Sequence, residues 1–247
     1  ACMYSKEYSM RIFETNPDGR LGLVALLDYL QDIASEHAVQ LGFGRDDLMK
    51  DNRMWVLSRL YAEIIEWPIW PAVLTIQTWH RGTEKLFSFR DYRVSGADGR
   101  PLAAATTSWL TIDQTTRRIQ RPDENLLRGS SGGFDNALPR SAAKLEPVAE
   151  SAILSPLFRV RFSDLDVNLH TNNVHYLQWA LDSYDPEFLM GHHPRSVEIN
   201  FLAESRCGEE IVIRTAPAGE EGAFGHAILR PADAAAKTPW PKALPDQ

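Results

Sequence analysis

Between Phe158 and Tyr184 the chain reads FRVRFSDLDVNLHTNNVHYLQWALDSY, and its first half collects groups suited to proton transfer and nucleophilic attack. Asp166, Asn168 and His170 alternate with Val167 and Leu169, bringing a carboxylate, an amide and an imidazole into one short run. The imidazole is the side chain best suited to moving protons near neutral pH. Asp166, four residues earlier, can orient and charge-stabilise the ring, activate water or attack directly, and all three roles stay open. If helical geometry starts early, the spacing of four puts both side chains on one face. Asn168 offers an amide donor for an oxyanion or a water.

Past this run, Val174, Leu177, Leu181 and Tyr184 recur at helical spacing. The polar groups therefore crowd the entry to a helix, where backbone N–H groups near Asn172 and Asn173 favour negative charge. Blander readings apply to the neighbours. Asn172 or Asn173 is read as a helix cap, and Asp164 as a turn or supporting residue. His37 and His226 are read as structural or solvated, and His192-His193 before Pro194 as a loop without a catalytic role. Asp166 and His170 are read as functional, because polar groups at alternate positions make a poor core and an unusual surface.

The elements that position them follow from apolar periodicity. Tyr8–Phe13 is expected as a strand, followed by a turn at Asn16-Pro17-Asp18-Gly19. Leu23, Leu26, Leu27, Leu30, Ala34, Ala38 and Leu41 predict a long helix stopped by Gly42 and Gly44. Strands are expected at Trp55–Glu66, Ala72–Trp79, Leu86–Val94 and Leu102–Ile112, divided by Trp67-Pro68, Arg81-Gly82 and Asp98-Gly99. Periodicity fades from Gln114 to Pro156, which reads as a linker. The order then restarts with a strand over Leu157–Phe162, the helix, and strands near Ser196–Ala203, Glu209–Ala216 and Ala223–Arg230.

That restart is a repeat. Arg11 matches Arg161 at an offset of 150, and Tyr29-Leu30-Gln31 matches Tyr176-Leu177-Gln178 at 147. Val56 and Ala62-Glu63 match Val197 and Ala203-Glu204 at 141, and Ala103–Trp109 matches Ala234–Trp240 at 131. Each copy is expected as one helix followed by antiparallel strands, and two copies make the single-chain counterpart of a homodimer. At the offset of 150, Asp166, Asn168 and His170 fall on Asn16, Asp18 and Arg20, so the first copy lacks the set. Glu63 is expected to match Glu204.

Composition narrows the function classes. The 247 residues, 44% hydrophobic and 24% charged, can bury one large or two ordinary domains. No apolar run is long enough for a membrane span. Cys2 and Cys207 are the only cysteines, which argues against a disulfide framework or a cysteine-rich metal site and suits a reducing cytoplasm. A net charge of −7 disfavours a nucleic-acid binder.

The run Asp164-Leu165-Asp166-Val167-Asn168-Leu169-His170-Thr171-Asn172-Asn173, with Tyr176 and Trp179 beyond, resembles the acyl-acyl-carrier-protein thioesterases. Tyr29-Leu30-Gln31, Trp55-Val56 and the tryptophan-rich strands extend the resemblance over nearly the whole chain. It implies an α+β protein of two tandem hotdog folds, each a long helix packed on a curved antiparallel sheet. The expected division is an N-terminal, acyl-chain-binding hotdog over 1–113, a linker over 114–156 and a catalytic C-terminal hotdog over 157–247. The implied catalytic set is Asp166, Asn168, His170 and Glu204, with no metal and no organic cofactor. Thr171 stands where the family usually has valine, and Ser205 where many plant members carry a cysteine. The implied reaction is hydrolysis of a fatty acyl thioester on acyl carrier protein, by activated water or with Asp166 as nucleophile. The acidic carrier would dock on basic residues, for which Arg117, Arg118, Arg121, Arg128 and Lys144 are candidates beside a solvated-linker reading. Trp55, Trp70, Trp79 and Trp109 are candidate walls for the acyl chain. No secretory leader or plastid transit peptide is read at the start, so a cytoplasmic bacterial member or a trimmed chain is expected, with room for a homodimer.

Three rivals remain in view. A hotdog thioesterase acting on coenzyme A esters, and a hotdog protein that binds acyl groups without hydrolysis, share the same pattern. An aspartate-nucleophile phosphatase would need a continuous apolar strand before Asp164, where Arg159 and Arg161 instead alternate with apolar residues. A calcium loop fails because Leu169 and His175 occupy its glycine and glutamate positions.

Overall fold

The long apolar stripe of the first copy forms α1, Leu23–Gln40, with Leu23, Leu26, Leu27, Leu30, Ile33 and Ala34 buried. Each such leucine or isoleucine contributes about 1.5–3 kcal/mol on full burial, so packing rather than propensity holds the helix. Gly42, at φ +76°, ends it. The Gly42 and Phe43 N–H groups reach back to Val39 O at 3.0 Å and Ala38 O at 2.9 Å, a reversal that favours glycine.

The computed structural model describes residues 3–122, 133–148, 153–219 and 221–231. Its contacts define two units, Ala1–Leu145 with Met190–Leu202, and Glu146–Leu189 with Ala203–Gln247. In the first unit lie β1 (Tyr4–Ser9), α2 (Arg45–Met49), β2 (Arg53–Ile64), β3 (Val73–Glu84), β4 (Phe87–Gly96), β5 (Pro101–Asp113), β6 (Ile119–Gln120) and β9 (Ser196–Asn200). The strands make one antiparallel sheet in the order β1-β3-β4-β5-β2-β9, with β6 on β5. Among the described residues no helix is long and apolar enough to cross a membrane.

Three local expectations change. The first strand ends at Ser9, and Ile12–Glu14 form a single 3-10 turn, because the Glu14 carboxylate takes the Arg11 N–H at 2.7 Å. Gly82 lies inside β3 at a register shift, and the reversal falls at Lys85, φ +56°. Part of the expected linker packs on the first sheet. Leu138 and Ala142 are buried against Tyr61, the Ala137 N–H bonds Asp91 at 2.9 Å, and Arg140 pairs with Glu198 at 2.8 Å. Arg128 and Gly129–Gly132 lie outside the described residues.

The face of the first sheet beneath α1 carries a polar end. Arg90 is buried, and its Nη1 lies 2.9 Å from His37 Nδ1 and 3.1 Å from Thr78 Oγ1. Burial, then the Arg90 charge, pushes the His37 and His80 imidazoles down to about 4 from 6.5. The unfolded chain therefore binds protons between pH 6.5 and about 4 that the folded chain refuses. Stability should fall across that window on acidification, by up to about 3 kcal/mol per imidazole. Thermal melts at successive pH values should show this fall, with a shallower slope for His80→Gln; a flat wild-type profile contradicts it. His37 is thus structural.

Of the expected tryptophan walls, only Trp79 is fully buried. Trp55 and Trp109 are half-buried, their indole N–H groups held by Phe43 O at 2.9 Å and Thr107 Oγ1 at 2.8 Å. Trp70 is 43% exposed and so makes a poor wall.

The second unit holds β7 (Ile153–Leu154), β8 (Phe158–Arg159), α3 (Asn173–Leu181), β10 (Glu210–Pro217) and β11 (Phe224–Leu229), together with α4 (Pro186–Gly191) as far as Leu189. Its antiparallel sheet runs β11-β10-β7, with β8 also on β10. Val160, Trp179, Ile211 and Ile213 form its core, where Phe158 and Tyr176 meet Trp179 edge-on at 5.1 and 5.2 Å. At nine residues α3 is half the length of α1. Pro186 keeps Asp185 out of helical geometry and starts α4 instead. The strand expected at Ser196–Ala203 ends at Asn200 and pairs with β2 in the first unit's sheet, Leu60 opposite Ile199 and Ala62 opposite Val197.

The repeat is also visible as geometry inside each unit. The 3-10 turns Ile12–Glu14 and Phe162–Asp164, the bridges Thr15–Leu21 and Leu165–Thr171, and the helix caps Gly22 and Asn172 all sit 150 residues apart. Tyr29 lies seven residues past its cap and Tyr176 four past its own, so that tripeptide match is nearly one helical turn out of step. The alanine-run match at Ala234–Trp240 lies outside the described residues.

Candidate active site

The bridge between Leu165 and Thr171 closes a tight loop around the acid–amide–imidazole run. Asp166 N–H bonds His170 O at 2.8 Å, and Leu169 N–H bonds Asp166 O at 3.0 Å. Leu169 sits at φ +62°, where the first copy has Gly19 at +80°. A leucine in that region costs about 1–2 kcal/mol. The Asp166 carboxylate supplies the compensation. It accepts the Asn168 N–H at 2.8 Å, the His170 N–H at 3.3 Å and the Asn168 side-chain amide at 3.3 Å.

This corrects the expected Asp166–His170 face. Helical geometry begins only at Asn173, so the spacing of four belongs to a turn rather than a helix. The imidazole instead meets Glu204: His170 Nε2 lies 3.4 Å from Glu204 Oε2, with the side chains 16% and 33% exposed. Glu204 comes from the irregular segment after β9, not from a strand. Its carbonyl accepts the Arg230 guanidinium, which also bonds Glu209 at 2.8 Å. Arg230 was invisible to sequence reasoning, since its contact joins residues far apart in the chain.

Asn172 occupies the cap position of α3, and its N–H is taken by Asp164 O at 2.8 Å, which removes it as an oxyanion donor. Asp164 is buried, accepts the Arg161 N–H at 2.6 Å and lies 3.6 Å from His175 Nδ1, the place of a turn-holding residue. Ser205 is 3% exposed, and its hydroxyl faces Thr171 and Tyr176. His226 is held between Tyr184 and Thr215 at 2.8 and 2.9 Å, and burial lowers its pKa, as suits a structural histidine.

The matching turn of the first copy is occupied by an ion pair. Asp18 accepts the Arg20 N–H at 3.0 Å and its guanidinium at 3.1 Å, and His193 Nε2 lies 3.4 Å away. Burial works to raise the Asp18 carboxyl, but these hydrogen bonds and charges hold it below its usual range. Leu21 N–H bonds Pro68 O at 3.0 Å just as Thr171 N–H bonds Ser205 O at 3.0 Å. Trp67, not Glu63, is therefore the counterpart of Glu204. Glu63 lies within β2. Among the described residues no group of three or more His, Cys, Asp or Glu side chains is arranged to hold a metal ion.

Comparison with known proteins gives a match in each half of the chain. Residues 1–129 match the acyl-ACP thioesterase N-terminal domain, and residues 148–242 the acyl-ACP thioesterase C-terminal domain. The oleoyl-acyl carrier protein thioesterase 2 of Arabidopsis thaliana is 27% identical over 85% of this chain and 61% of its own length. The palmitoyl-acyl carrier protein thioesterase of Gossypium hirsutum is 29% identical over 86% of this chain and 54% of its own. The chain thus spans somewhat over half the length of these plant relatives. The crystal structure of an acyl-ACP thioesterase from Bacteroides thetaiotaomicron superposes with a TM-score of 0.85 at 24% identity, over 94% of this chain and 93% of that one. The fold is accordingly a pair of tandem hotdogs. With both of its halves matched in order, the chain belongs to the acyl-ACP thioesterase family.

Proposed function

We propose that the chain hydrolyses fatty acyl thioesters of acyl carrier protein, releasing the fatty acid and the carrier's thiol. The observation that carries this reading is the 3.4 Å contact between His170 and Glu204 on a loop that Asp166 organises. Glu204 beside Nε2 favours the ring proton there, leaving the Nδ1 lone pair to take a proton from water. The water oxygen bonds to the acyl carbon as the carbonyl π pair moves onto oxygen. The Asn168 amide is the donor assigned to that oxyanion. Collapse restores the carbonyl, breaks the carbon–sulfur bond, and the thiolate takes the proton from His170. Asp166 serves as a positioning residue, its carboxylate engaged by three N–H groups. Glu204→Gln should lower kcat about 10–100-fold, since the imidazolium formed in the step loses its counter-charge. Steady-state rates on a carrier-protein substrate check this, and a wild-type kcat would remove Glu204 from the mechanism.

The first unit, with its long apolar helix and a turn closed by the Asp18–Arg20 pair, is assigned the acyl chain. The acidic carrier is assigned to the exposed Arg117, Arg118 and Arg121 around the β5–β6 reversal and to exposed Lys144. Reversing Arg118 and Arg121 to Glu should raise KM for the carrier-protein substrate about tenfold and leave KM for a matched coenzyme A ester unchanged. Equal effects on both substrates would remove this surface from docking.

A further inference from the structure

The hydroxyls of Thr171, Ser205 and Tyr176 form a chain of contacts that begins and ends on one residue. Tyr176 Oη accepts the Ser205 N–H at 2.9 Å and lies 2.9 Å from Ser205 Oγ. Ser205 Oγ lies 2.7 Å from Thr171 Oγ1, which donates to Ser205 O at 3.2 Å. One direction of donation satisfies every group: Ser205 N–H to Tyr176 Oη, its proton to Ser205 Oγ, that proton to Thr171 Oγ1, and the last to Ser205 O. Thr171 and Ser205 are 5% and 3% exposed. Ser205 Oγ accepts from Tyr176 and gives its one proton to Thr171, and among the described residues it makes no hydrogen bond to an imidazole that could take that proton. A nucleophilic role is therefore closed to it.

Thr171 directly follows His170, and Ser205 directly follows Glu204. The ring thus ties together the two segments whose side chains meet at 3.4 Å. The first copy provides an internal control. It closes the same bridged turn and makes the same N–H to carbonyl bond, from Leu21 to Pro68 at 3.0 Å. Thr171 and Tyr176 correspond there to Leu21 and Leu26, both buried, and Ser205 to Pro68. The turn folds without any of the three hydroxyls. They occur in the copy that also carries the acid, amide and imidazole.

We infer that Thr171, Tyr176 and Ser205 are positioning residues for the reaction, a hydroxyl clamp that sets the His170–Glu204 separation; this rests on the hydrolytic reading above. Misplacing a reacting group by about 1 Å can cost about 100-fold in rate, so loosening the clamp should appear in kcat before it appears in substrate binding. The test compares Thr171→Val, which keeps the shape and removes the hydroxyl, with Thr171→Ser, which does the reverse, alongside Tyr176→Phe. Thr171→Val and Tyr176→Phe should each lower kcat about tenfold with KM within about twofold, and Thr171→Ser should recover most of the loss. In a Glu204→Gln background Thr171→Val should add little, because its effect runs through that carboxylate. A serine variant slower than the valine variant, or a fully additive double variant, overturns the clamp and leaves a packing role. His170→Ala turning over like wild type would instead overturn the hydrolytic reading, whatever the Thr171 variants do.

Discussion

His170→Ala is expected to lower kcat on an acyl-carrier-protein thioester by about 10²–10⁴-fold, the span over which a positioned general base acts. KM should move little, because the ring is assigned to the proton and not to the acyl chain or the carrier. The fold should survive. His170 contributes its main chain to the loop, through the carbonyl that receives the Asp166 N–H and the N–H that reaches the Asp166 carboxylate, and alanine keeps both. A melting temperature within a few degrees of wild type, measured beside the rates, separates lost chemistry from lost structure. A variant that retains wild-type kcat contradicts the assignment of the base.

The second large effect is expected at Asp166, and the choice of substitution matters. Its carboxylate takes three N–H groups of the loop and offsets the left-handed Leu169. Asp166→Ala removes all three acceptor contacts, so the loop should relax and kcat should fall about 10³-fold through misplacement of His170 and Asn168. Asp166→Asn keeps a carbonyl oxygen that can hold the same turn, and should lose only about tenfold. If Asp166 instead attacks the acyl carbon, asparagine should be as inactive as alanine. Rates for the two variants on one substrate distinguish a positioning carboxylate from a nucleophilic one.

How much of this could be read beforehand depended on distance along the chain. α1 was legible because its apolar stripe runs for five turns, and Gly42 marks its end by backbone conformation. The polar run of the second copy was legible as chemistry, since aspartate, asparagine and histidine at alternate positions fit neither core nor ordinary surface. Its geometry was not. A spacing of four between Asp166 and His170 suits a helix equally well, and only the left-handed Leu169 and the carboxylate-held turn decide against it. The His170–Glu204 meeting and the pairing of β9 with β2 join distant residues, to which local periodicity is blind. The buried Thr78, His80, Arg90 and Thr107 were hidden for another reason: polar residues at alternate strand positions look like a solvated face. The three hydroxyls of the clamp are ordinary in sequence and gain meaning only from Leu21, Leu26 and Pro68 in the other copy.

The most direct test of hydrolysis by this chain is thiol release from a purified acyl-carrier-protein substrate, followed in time beside a coenzyme A ester of the same acyl chain. Repeated turnover of the carrier-protein substrate, faster than of the coenzyme A ester, is the expected result. An acyl group that binds and stays on its carrier, with no thiol released from either substrate, would contradict it.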